Sequence, residues 1–241
     1  MKKTLLFCLT VMLSATALAD NHIQPTVYGQ YLGIIVSDPE AAVAAMTKYR
    51  RSATGQKLSS TVTLSANVAN GTDKATHTVS VFYPSAAAME ADMATSMGSS
   101  DRAAFVSAMN DIATIETENV FTQTNARTND ENLGGAGVVN MLFGLTVFDA
   151  DRYNKALETI LNSDAAAAFP GNMSSGTVVA MGEVPGTHWV SFQAKDMGTL
   201  LSGVETFMSS KDFANYSKDA GEFRKVEGRY LSRAILTLAP Q

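Results

Sequence analysis

Two histidines occupy the same position in two similar stretches of the chain, and they are its first candidates for chemistry. The stretches read Thr76-His77-Thr78-Val79-Ser80 and Thr187-His188-Trp189-Val190-Ser191. An imidazole that titrates near neutral pH can bind a ligand or move a proton. Alternation along a strand places both rings on its apolar face, just after a hairpin, which favours a structural hydrogen bond to that hairpin. We therefore assign no catalytic residue.

The opposite face of these two strands supplies a candidate pocket lining. It combines hydroxyl groups, an amide, aromatic rings and the only tryptophan of the chain. That composition is usual for a small-molecule pocket, and it is also usual for a packed interface. The candidate ligand-binding residues are His77, His188, Trp189, Ser191, Gln193, Tyr31, Ser80 and Phe82, and the predicted lining further includes Thr78, Ile35 and Thr146.

Metal and cofactor centres are not expected from the composition. The chain has three histidines and a single cysteine, Cys8. Closely spaced ligands for a transition metal are missing from the sequence, as are a phosphate-binding glycine loop and a Gly-x-Ser-x-Gly turn. We predict neither a metal nor a cofactor.

The two histidine stretches belong to a longer internal repeat. Gly33 and Gly144, Asp38 and Asp149, and the two histidines are each separated by 111 positions. Such self-similarity indicates one unit of about a hundred residues that has been duplicated and fused. We place repeat 1 at residues 28–124, a polar linker at 125–137 and repeat 2 at 138–238.

Each unit is predicted to run strand, helix, strand, strand, helix, strand. Asp38 and Pro39 favour a helix start, and the equivalent helix of the second unit has apolar residues at helical spacing. In the second helix of the first unit, Met89, Met93 and Met97 also follow helical spacing, and we expect them to fill a core. The apolar residues of the second unit's first helix are Tyr153, Ala156, Leu157, Ile160 and Leu161.

This order of elements is typical of a ferredoxin-like βαββαβ unit, whose helices cover one face of an antiparallel sheet. The other face of each sheet is also apolar and needs a cover. We predict that the two sheets cover each other. The fold class is therefore α+β, with two ferredoxin-like repeats forming a pseudo-dimeric antiparallel α/β barrel.

The first 19 residues have the pattern of a cleavable signal peptide. Lys2 and Lys3 precede a short apolar run, and Ala17-Leu18-Ala19 supplies the small residues of a cleavage site. We expect a mature chain that begins at Asp20 and is periplasmic or secreted. Cys8 lies inside this leader, so the mature chain would have no disulfide bond.

Charge and hydropathy exclude two classes of partner. With 18 Lys and Arg against 23 Asp and Glu, the net charge is −5, which is unsuited to binding nucleic acid. No stretch approaches the roughly 20 apolar residues that a membrane-spanning helix needs. We expect neither nucleic-acid binding nor membrane insertion.

Residues 28–238 resemble the dimeric α/β-barrel superfamily in its single-chain tandem form. The resemblance rests on the duplication, on the order of the elements and on the repeated Gly-x-x-x-x-Asp and Thr-His-x-Val-Ser motifs. That superfamily includes antibiotic-biosynthesis-monooxygenase-like proteins, haem-degrading enzymes, haem peroxidase-like proteins, isomerases and small-ligand-binding proteins. Its haem-degrading members use an asparagine, a tryptophan and a histidine on the second helix. Asn140 and Trp189 match two of these, but neither second-helix region here has a histidine. The resemblance thus implies a fold without an activity.

Three functions remain open. The leading hypothesis is an exported protein that binds a small apolar or partly polar molecule in the barrel. The first alternative is a cofactor-independent monooxygenase or isomerase-like enzyme that uses His77 or His188. The second alternative is an envelope structural or interaction module. A binding protein requires a cavity, an enzyme of this kind requires a histidine that reaches it, and an interaction module requires a filled interior.

Overall fold

The computed structural model describes residues 27–181 and 186–241, so the predicted leader lies outside the described residues. The first half of the chain forms β1 (Val27–Val36), α1 (Pro39–Arg50), β2 (Thr61–Ala69), β3 (His77–Tyr83), α2 (Ala86–Ser96), α3 (Ser100–Asn110) and β4 (Ala113–Arg127). The second half forms β5 (Val139–Val147), α4 (Ala150–Leu161), α5 (Asp164–Ala167), β6 (Asn172–Met181), β7 (His188–Ala194), α6 (Met197–Met208), α7 (Lys211–Ala220) and β8 (Arg224–Leu238). No helix in the described ranges is long and apolar enough to span a membrane.

Side-chain caps explain where the helices begin. The Asp38 carboxylate accepts a hydrogen bond from the backbone N–H of Ala41, and the Asp149 carboxylate accepts one from Arg152. Each cap satisfies a donor that the first turn of a helix leaves without a partner. Two further pairs of caps, again 111 positions apart, begin α2 and α6 and then α3 and α7: Ser85 and Asp196, and Ser99 and Ser210.

Backbone hydrogen bonds join the eight described strands into one closed antiparallel barrel, in the order β1-β3-β2-β8-β5-β7-β6-β4. The first half contributes β4-β1-β3-β2, and the second half contributes β8-β5-β7-β6 in the matching order. The two groups meet where β2 pairs with β8 and where β4 pairs with β6. The α+β class and the antiparallel barrel predicted from the sequence are confirmed.

Helices cover the outside of the barrel, and each half has its own core beneath them. In the first half, Ile34 and Leu64 of the sheet are buried with Met46 of α1. The core of the second half is larger and richer in aromatic rings. Burial of this apolar surface is the main favourable contribution to folding. The helical spacing predicted for α4 is confirmed, because four of its five apolar residues are buried there, namely Tyr153, Leu157, Ile160 and Leu161.

Helix α2 differs from the expectation that its methionines fill a core. Met93 and Met97 are 37% and 81% exposed. The buried residue of α2 is Asp92, whose carboxylate accepts hydrogen bonds from the backbone N–H groups of Ser59 at 2.9 Å and Ser60 at 3.0 Å. Hydrogen bonds from the segment before β2 therefore orient this helix, and its methionines face outward.

The segment between β4 and β5, residues 128–138, follows one end of the barrel. The Asn172 side-chain oxygen, at the start of β6, accepts hydrogen bonds from the backbone N–H groups of Asn129 and Asp130, each at 3.0 Å. Further along, the Gly137 N–H donates to the Ala234 carbonyl of β8 at 2.8 Å. We refer to residues 128–138 as the connecting segment. It is attached at both sides of the barrel end.

The pairing of β4 with β6 depends on a close backbone approach at Gly176. A Cβ atom added there would overlap the backbone carbonyl oxygen of Thr122 on β4. We expect Gly176→Ala to cost about 1–3 kcal/mol, as overpacking does, and to lower Tm by roughly 3–10 °C in thermal unfolding. Gly134→Ala is the control, since a Cβ there meets nothing within 4 Å. Equal Tm values for the two variants would contradict this account of the strand junction.

Candidate functional site

A cavity of about 410 Å³ lies inside the barrel, and all eight strands contribute to its lining. This volume is within the range of about 300–1,000 Å³ that is typical of small-molecule sites. Residues of the connecting segment, including Leu133 and Gly135, border one end of it. Seven of the eight candidate ligand-binding residues border this cavity: Tyr31, Ser80, Phe82, His188, Trp189, Ser191 and Gln193.

Alternation along β3 and β7 decides which side chains face the cavity. Thr78, Ser80 and Phe82 border it, and the intervening Val79 belongs to the core beneath the helices. Side chains at successive positions of a strand point to opposite faces, so this division follows from the pleat. The residues of β7 divide in the same way, with Phe192 in the core of the second half.

Three aromatic rings form one wall of the cavity. Phe121 lies between Phe82 and Trp189, with ring centroids 5.4 Å and 5.5 Å apart in edge-to-face geometry. The Trp189 indole N–H donates to the Thr122 carbonyl at 3.2 Å. Gly29 makes room for this wall, because a Cβ atom there would overlap the Phe121 ring. We call Phe82, Phe121 and Trp189 the aromatic wall, a rigid apolar surface of the kind on which flat ligands pack.

A polar group occupies the end of the cavity near the β2–β3 turn. The Thr78 hydroxyl donates to the Asn67 side-chain oxygen at 2.8 Å, and it lies 3.1 Å from the Tyr31 hydroxyl. Because a hydroxyl has one proton, Thr78 accepts from Tyr31, and the Tyr31 oxygen keeps its lone pairs available. Asp73 and Tyr230 border the cavity at the same end. This end therefore presents hydrogen-bond acceptors.

The charge of Asp73 affects both tyrosines of this polar end. Burial raises the pKa of Tyr31; its hydrogen bond with Thr78 lowers that pKa, and the nearby Asp73 carboxylate raises it. Burial also raises the pKa of Tyr230, and Asp73 adds to that shift. Both phenols are therefore neutral donors and acceptors at physiological pH.

A second polar group lies toward the end that the connecting segment borders. The Ser191 hydroxyl donates to the Asn140 side-chain oxygen at 2.6 Å, and Ser232 and Gln193 border the cavity close to them in the strand pairing. Arg127 also borders the cavity, but its guanidinium donates to the Leu161 carbonyl at 2.7 Å and to the Asn129 side chain at 3.0 Å. The two polar groups meet along the β2–β8–β5 pairing, where Asn67 is the partner of Ser232 and Ser232 is the partner of Asn140.

The two histidines lie on the helix side of the barrel wall. In each half the Nδ1 atom is 2.9 Å from the hydroxyl of the preceding threonine. His77 does not border the cavity, and although His188 does, its ring makes an edge-to-face contact with Tyr153 of α4 at 5.4 Å between centroids. Burial lowers the pKa of both imidazoles. Both rings are therefore neutral at pH 7.

The preceding threonines connect the first strand of each half to the third. The Thr76 hydroxyl accepts a hydrogen bond from the Val36 N–H at 2.9 Å, and the Thr187 hydroxyl accepts one from the Val147 N–H at 3.0 Å. Each threonine thus joins its histidine to the end of β1 or β5.

Besides His77, two further residues of the predicted lining do not border the cavity. Ile35 and Thr146 lie four positions further along β1 and β5 than the cavity residues Tyr31 and Leu142, beyond its end. The Thr146 hydroxyl instead donates to Glu227 at 2.7 Å. The expectation that they line the cavity is wrong. A side chain must lie both on the inner face of its strand and within the length of the cavity, and these two residues meet only the first condition.

Several cavity residues were not predicted from the sequence. Phe121 and Tyr230 lie on β4 and β8, and alternation along those strands could have identified them. The sequence did not indicate that Asp73 borders the cavity, because Asp73 lies in a turn that reaches the cavity only when the barrel closes. In the part of the chain that the structure describes, no cluster of three or more His, Cys, Asp or Glu side chains could hold a metal ion.

A second cavity of about 270 Å³ lies between the second-half sheet and helices α4, α6 and α7. Its lining is almost entirely apolar and includes Phe192 and Phe207, with Arg224 and Arg229 at its border. Arg224 lies 5.1 Å from the Tyr216 ring centroid, and Arg229 lies 5.4 Å from that of Phe143. This space is a gap in the helix-covered core, separate from the barrel interior.

The sequence matches no family model and no curated protein. Solved structures are similar in fold. A candidate monooxygenase from Lactobacillus acidophilus is 13% identical, with a TM-score of 0.55 over 88% of this chain and 93% of that chain. An anthrone oxidase-like protein is 14% identical, with a TM-score of 0.54 over 91% and 93%. A haem-binding protein from Thermus thermophilus is 9% identical, with a TM-score of 0.53 over 88% and 94%.

These similarities extend over almost the whole of each chain, and their low identities restrict what they show to the fold. They agree with the closed eight-stranded antiparallel barrel of the described residues and its outer helices. The chain has the fold of the dimeric α/β-barrel superfamily.

Proposed function

We propose that this protein binds a small, partly apolar molecule inside the barrel. The observation that carries the proposal is the 410 Å³ cavity, whose lining combines the aromatic wall with hydroxyl, amide and carboxylate side chains. An apolar pocket with a few fixed polar groups is the usual form of a small-molecule site. We further propose that the chain is exported to the periplasm or beyond, on the basis of the leader pattern at residues 1–19.

We also propose that the barrel is a pseudo-dimer of two duplicated units, repeat 1 at 28–124 and repeat 2 at 138–238. The predicted linker at 125–137 joins them, except that its first three residues continue β4 and pair with β6. The outer features support the pseudo-dimer, because strand order, helix caps and the Thr-His motif recur with an offset of 111 residues. Even the shift in strand register after Gly33 has a counterpart after Gly144. Units related in this way would assemble as a homodimer does, within one polypeptide.

The cavity does not repeat as the outer features do. At five pairs of equivalent positions around it, the two halves carry side chains of different chemistry. The aromatic wall is consequently built from two residues of the first half and one of the second. A binding site of this kind suits a ligand whose own two ends differ. The pairs are Tyr31 and Leu142, Thr78 and Trp189, Phe82 and Gln193, Asn119 and Tyr230, and Phe121 and Ser232.

Cofactor-independent catalysis in the same cavity is the second candidate function, suggested by the names of the monooxygenase-like and oxidase-like structures. For the proposed histidine mechanism, His77 does not border the cavity, whereas His188 borders it with its ring packed against Tyr153. The titratable groups that border the cavity at its polar end are Asp73, Tyr31 and Tyr230. An interaction module has less support than either function, because the interior is not filled.

Haem binding, which the name of the Thermus protein suggests, does not fit the residues present. An axial ligand would have to face the cavity, and the His77 ring does not border it. The His188 ring also packs against the buried Tyr153 ring. We derive no function through haem.

Filling the cavity tests the binding proposal. Ser80→Phe places a phenyl ring inside the barrel, and Ser107→Phe places the same ring on the exposed surface of α3. We expect native mass spectrometry of protein purified from its own source to detect a bound small molecule in the wild type and in Ser107→Phe, and at least tenfold less in Ser80→Phe. The same molecule at full occupancy in folded Ser80→Phe would place the site elsewhere.

The histidines give a stability test that separates a structural role from a catalytic one. Because burial lowers their pKa below the unfolded value of about 6.5, the unfolded chain binds more protons than the folded chain as pH falls past that value. The contribution of the two neutral histidines to the free energy of unfolding is complete above about pH 7 and is lost as the pH falls toward 5. His77→Gln and His188→Gln should therefore lose less free energy of unfolding than the wild type between pH 7.5 and 5.5.

Urea unfolding at the two pH values measures this difference, and a double variant should show the sum of the two effects because the sites are in separate halves. Bound ligand, measured by native mass spectrometry, should be unchanged in His77→Gln, because the His77 ring does not border the cavity. A pH dependence identical to that of the wild type, or loss of the ligand from a stable His77→Gln variant, would contradict the structural role.

A further inference from the structure

The carboxylate at the polar end of the cavity has no basic partner among the described residues. Asp73 lies in the turn between β2 and β3, and one carboxylate oxygen accepts the Ala75 N–H at 2.8 Å. The ion pair found in the described ranges joins Lys225 and Glu227 and does not include Asp73. The neighbouring Lys74 is exposed and does not border the cavity. A charge is thus held at the cavity without compensation.

The turn that carries Asp73 is held in place by side chains. Asn67 and Asn70 both donate from their amide nitrogens to the Ala75 carbonyl, at 2.9 Å and 2.7 Å. The carboxylate is therefore positioned before any ligand arrives, which lowers the entropic cost of binding.

Hydroxyl groups and aromatic rings surround this carboxylate on the cavity side. The electrostatic influence of Asp73 reaches both Tyr31 and Tyr230, and the Tyr31 oxygen keeps its lone pairs free. Deeper in the cavity, the aromatic wall presents apolar rings. Carboxylate, phenol oxygens and aromatic faces are the groups that bind an organic ammonium ion, through charge-assisted hydrogen bonds and cation–π contacts.

The opposite charge is not available inside the cavity. Among the described residues that border the cavity, Arg127 is the one lysine or arginine. Its guanidinium donates to the Leu161 carbonyl and to the Asn129 side chain. A carboxylate ligand would meet Asp73 at one end and no free cation at the other. The cavity is therefore suited to a cation and unsuited to an anion.

We infer that the ligand of the barrel is an organic cation, an amine on an apolar and preferably aromatic body, with its ammonium group at Asp73 and its body against Phe121 and Trp189. This inference rests on the proposed binding function and specifies its ligand class. Asp73 would select the charge, and the aromatic wall would hold the body.

Three probes of matched shape test the charge preference: 2-phenylethylamine, 2-phenylethanol and 3-phenylpropionate. They share a phenyl ring on a short chain and carry a positive, zero and negative charge at pH 7. Titration calorimetry gives the Kd of each, and the emission of Trp189, the single tryptophan of the chain, reports whether the probe enters the cavity. We expect the amine to bind at least tenfold more tightly than the alcohol, and the carboxylate to bind most weakly.

Asp73→Asn is the decisive variant, because asparagine can keep the hydrogen bond from the Ala75 N–H. It should remove the preference for the amine over the alcohol while leaving the affinity for the alcohol within about twofold. Asp111→Asn removes the same charge from an exposed position at the same end of the barrel and should keep the wild-type preference.

The outcomes separate this inference from the binding function. Equal binding of the three probes, or tighter binding of 3-phenylpropionate, with a response from Trp189 would overturn the cationic class and leave the binding function intact. Binding of none of the probes, while native mass spectrometry finds a retained molecule that Ser80→Phe excludes, would do the same. If Asp73→Asn kept the amine preference, the assignment of Asp73 would be wrong.

Discussion

The hydrogen bonds between β2 and β8 and between β4 and β6 are the constraint on which the rest of the structure depends. A four-stranded sheet with helices on one face has two free edges and one uncovered face. These two junctions pair all four edges and turn the two uncovered faces toward each other. Without them there would be no barrel interior, and the residues that border the cavity would face water.

The closed barrel has an outer side, which the helices cover, and an inner side, which lines the cavity, and the side chains on these two sides have different roles. On the outside, the caps at Asp38 and Asp149 and the Thr-His motifs satisfy backbone groups, and they are the same in both halves. On the inside, equivalent positions differ, as Thr78 does from Trp189. A homodimer would place every substitution on both sides of such a cavity. One polypeptide can change one side alone, which allows a cavity with two unlike sides.

Much of this arrangement could be predicted from residue patterns, because strands and amphipathic helices have fixed periods. The period of two placed Trp189, Ser191 and Gln193 on the cavity face, and the period of 3.6 identified the buried face of α4. The helix-side position of His77 follows from the same alternation.

The predictions that failed did so for physical reasons. Asp73 lies in a turn, where no period applies, and it borders the cavity only through contacts made when β2 and β8 pair. In α2 the spacing of Met93 and Met97 indicated a core face, but hydrogen bonds from Ser59 and Ser60 to Asp92 rotate that helix the other way. The cavity stops before Ile35 and Thr146. Its extent depends on the packing of all eight strands, so the sequence of one strand cannot predict it.

The connecting segment has a consequence for how the barrel assembles. Subunits that associate only through sheet edges separate on dilution, because their assembly is bimolecular. Here both sides of the barrel belong to one polypeptide, and residues 128–138 run between attachment points on β6 and β8. Closure of the barrel is therefore a unimolecular event with a high effective concentration. The integrity of the site does not depend on how much protein is present.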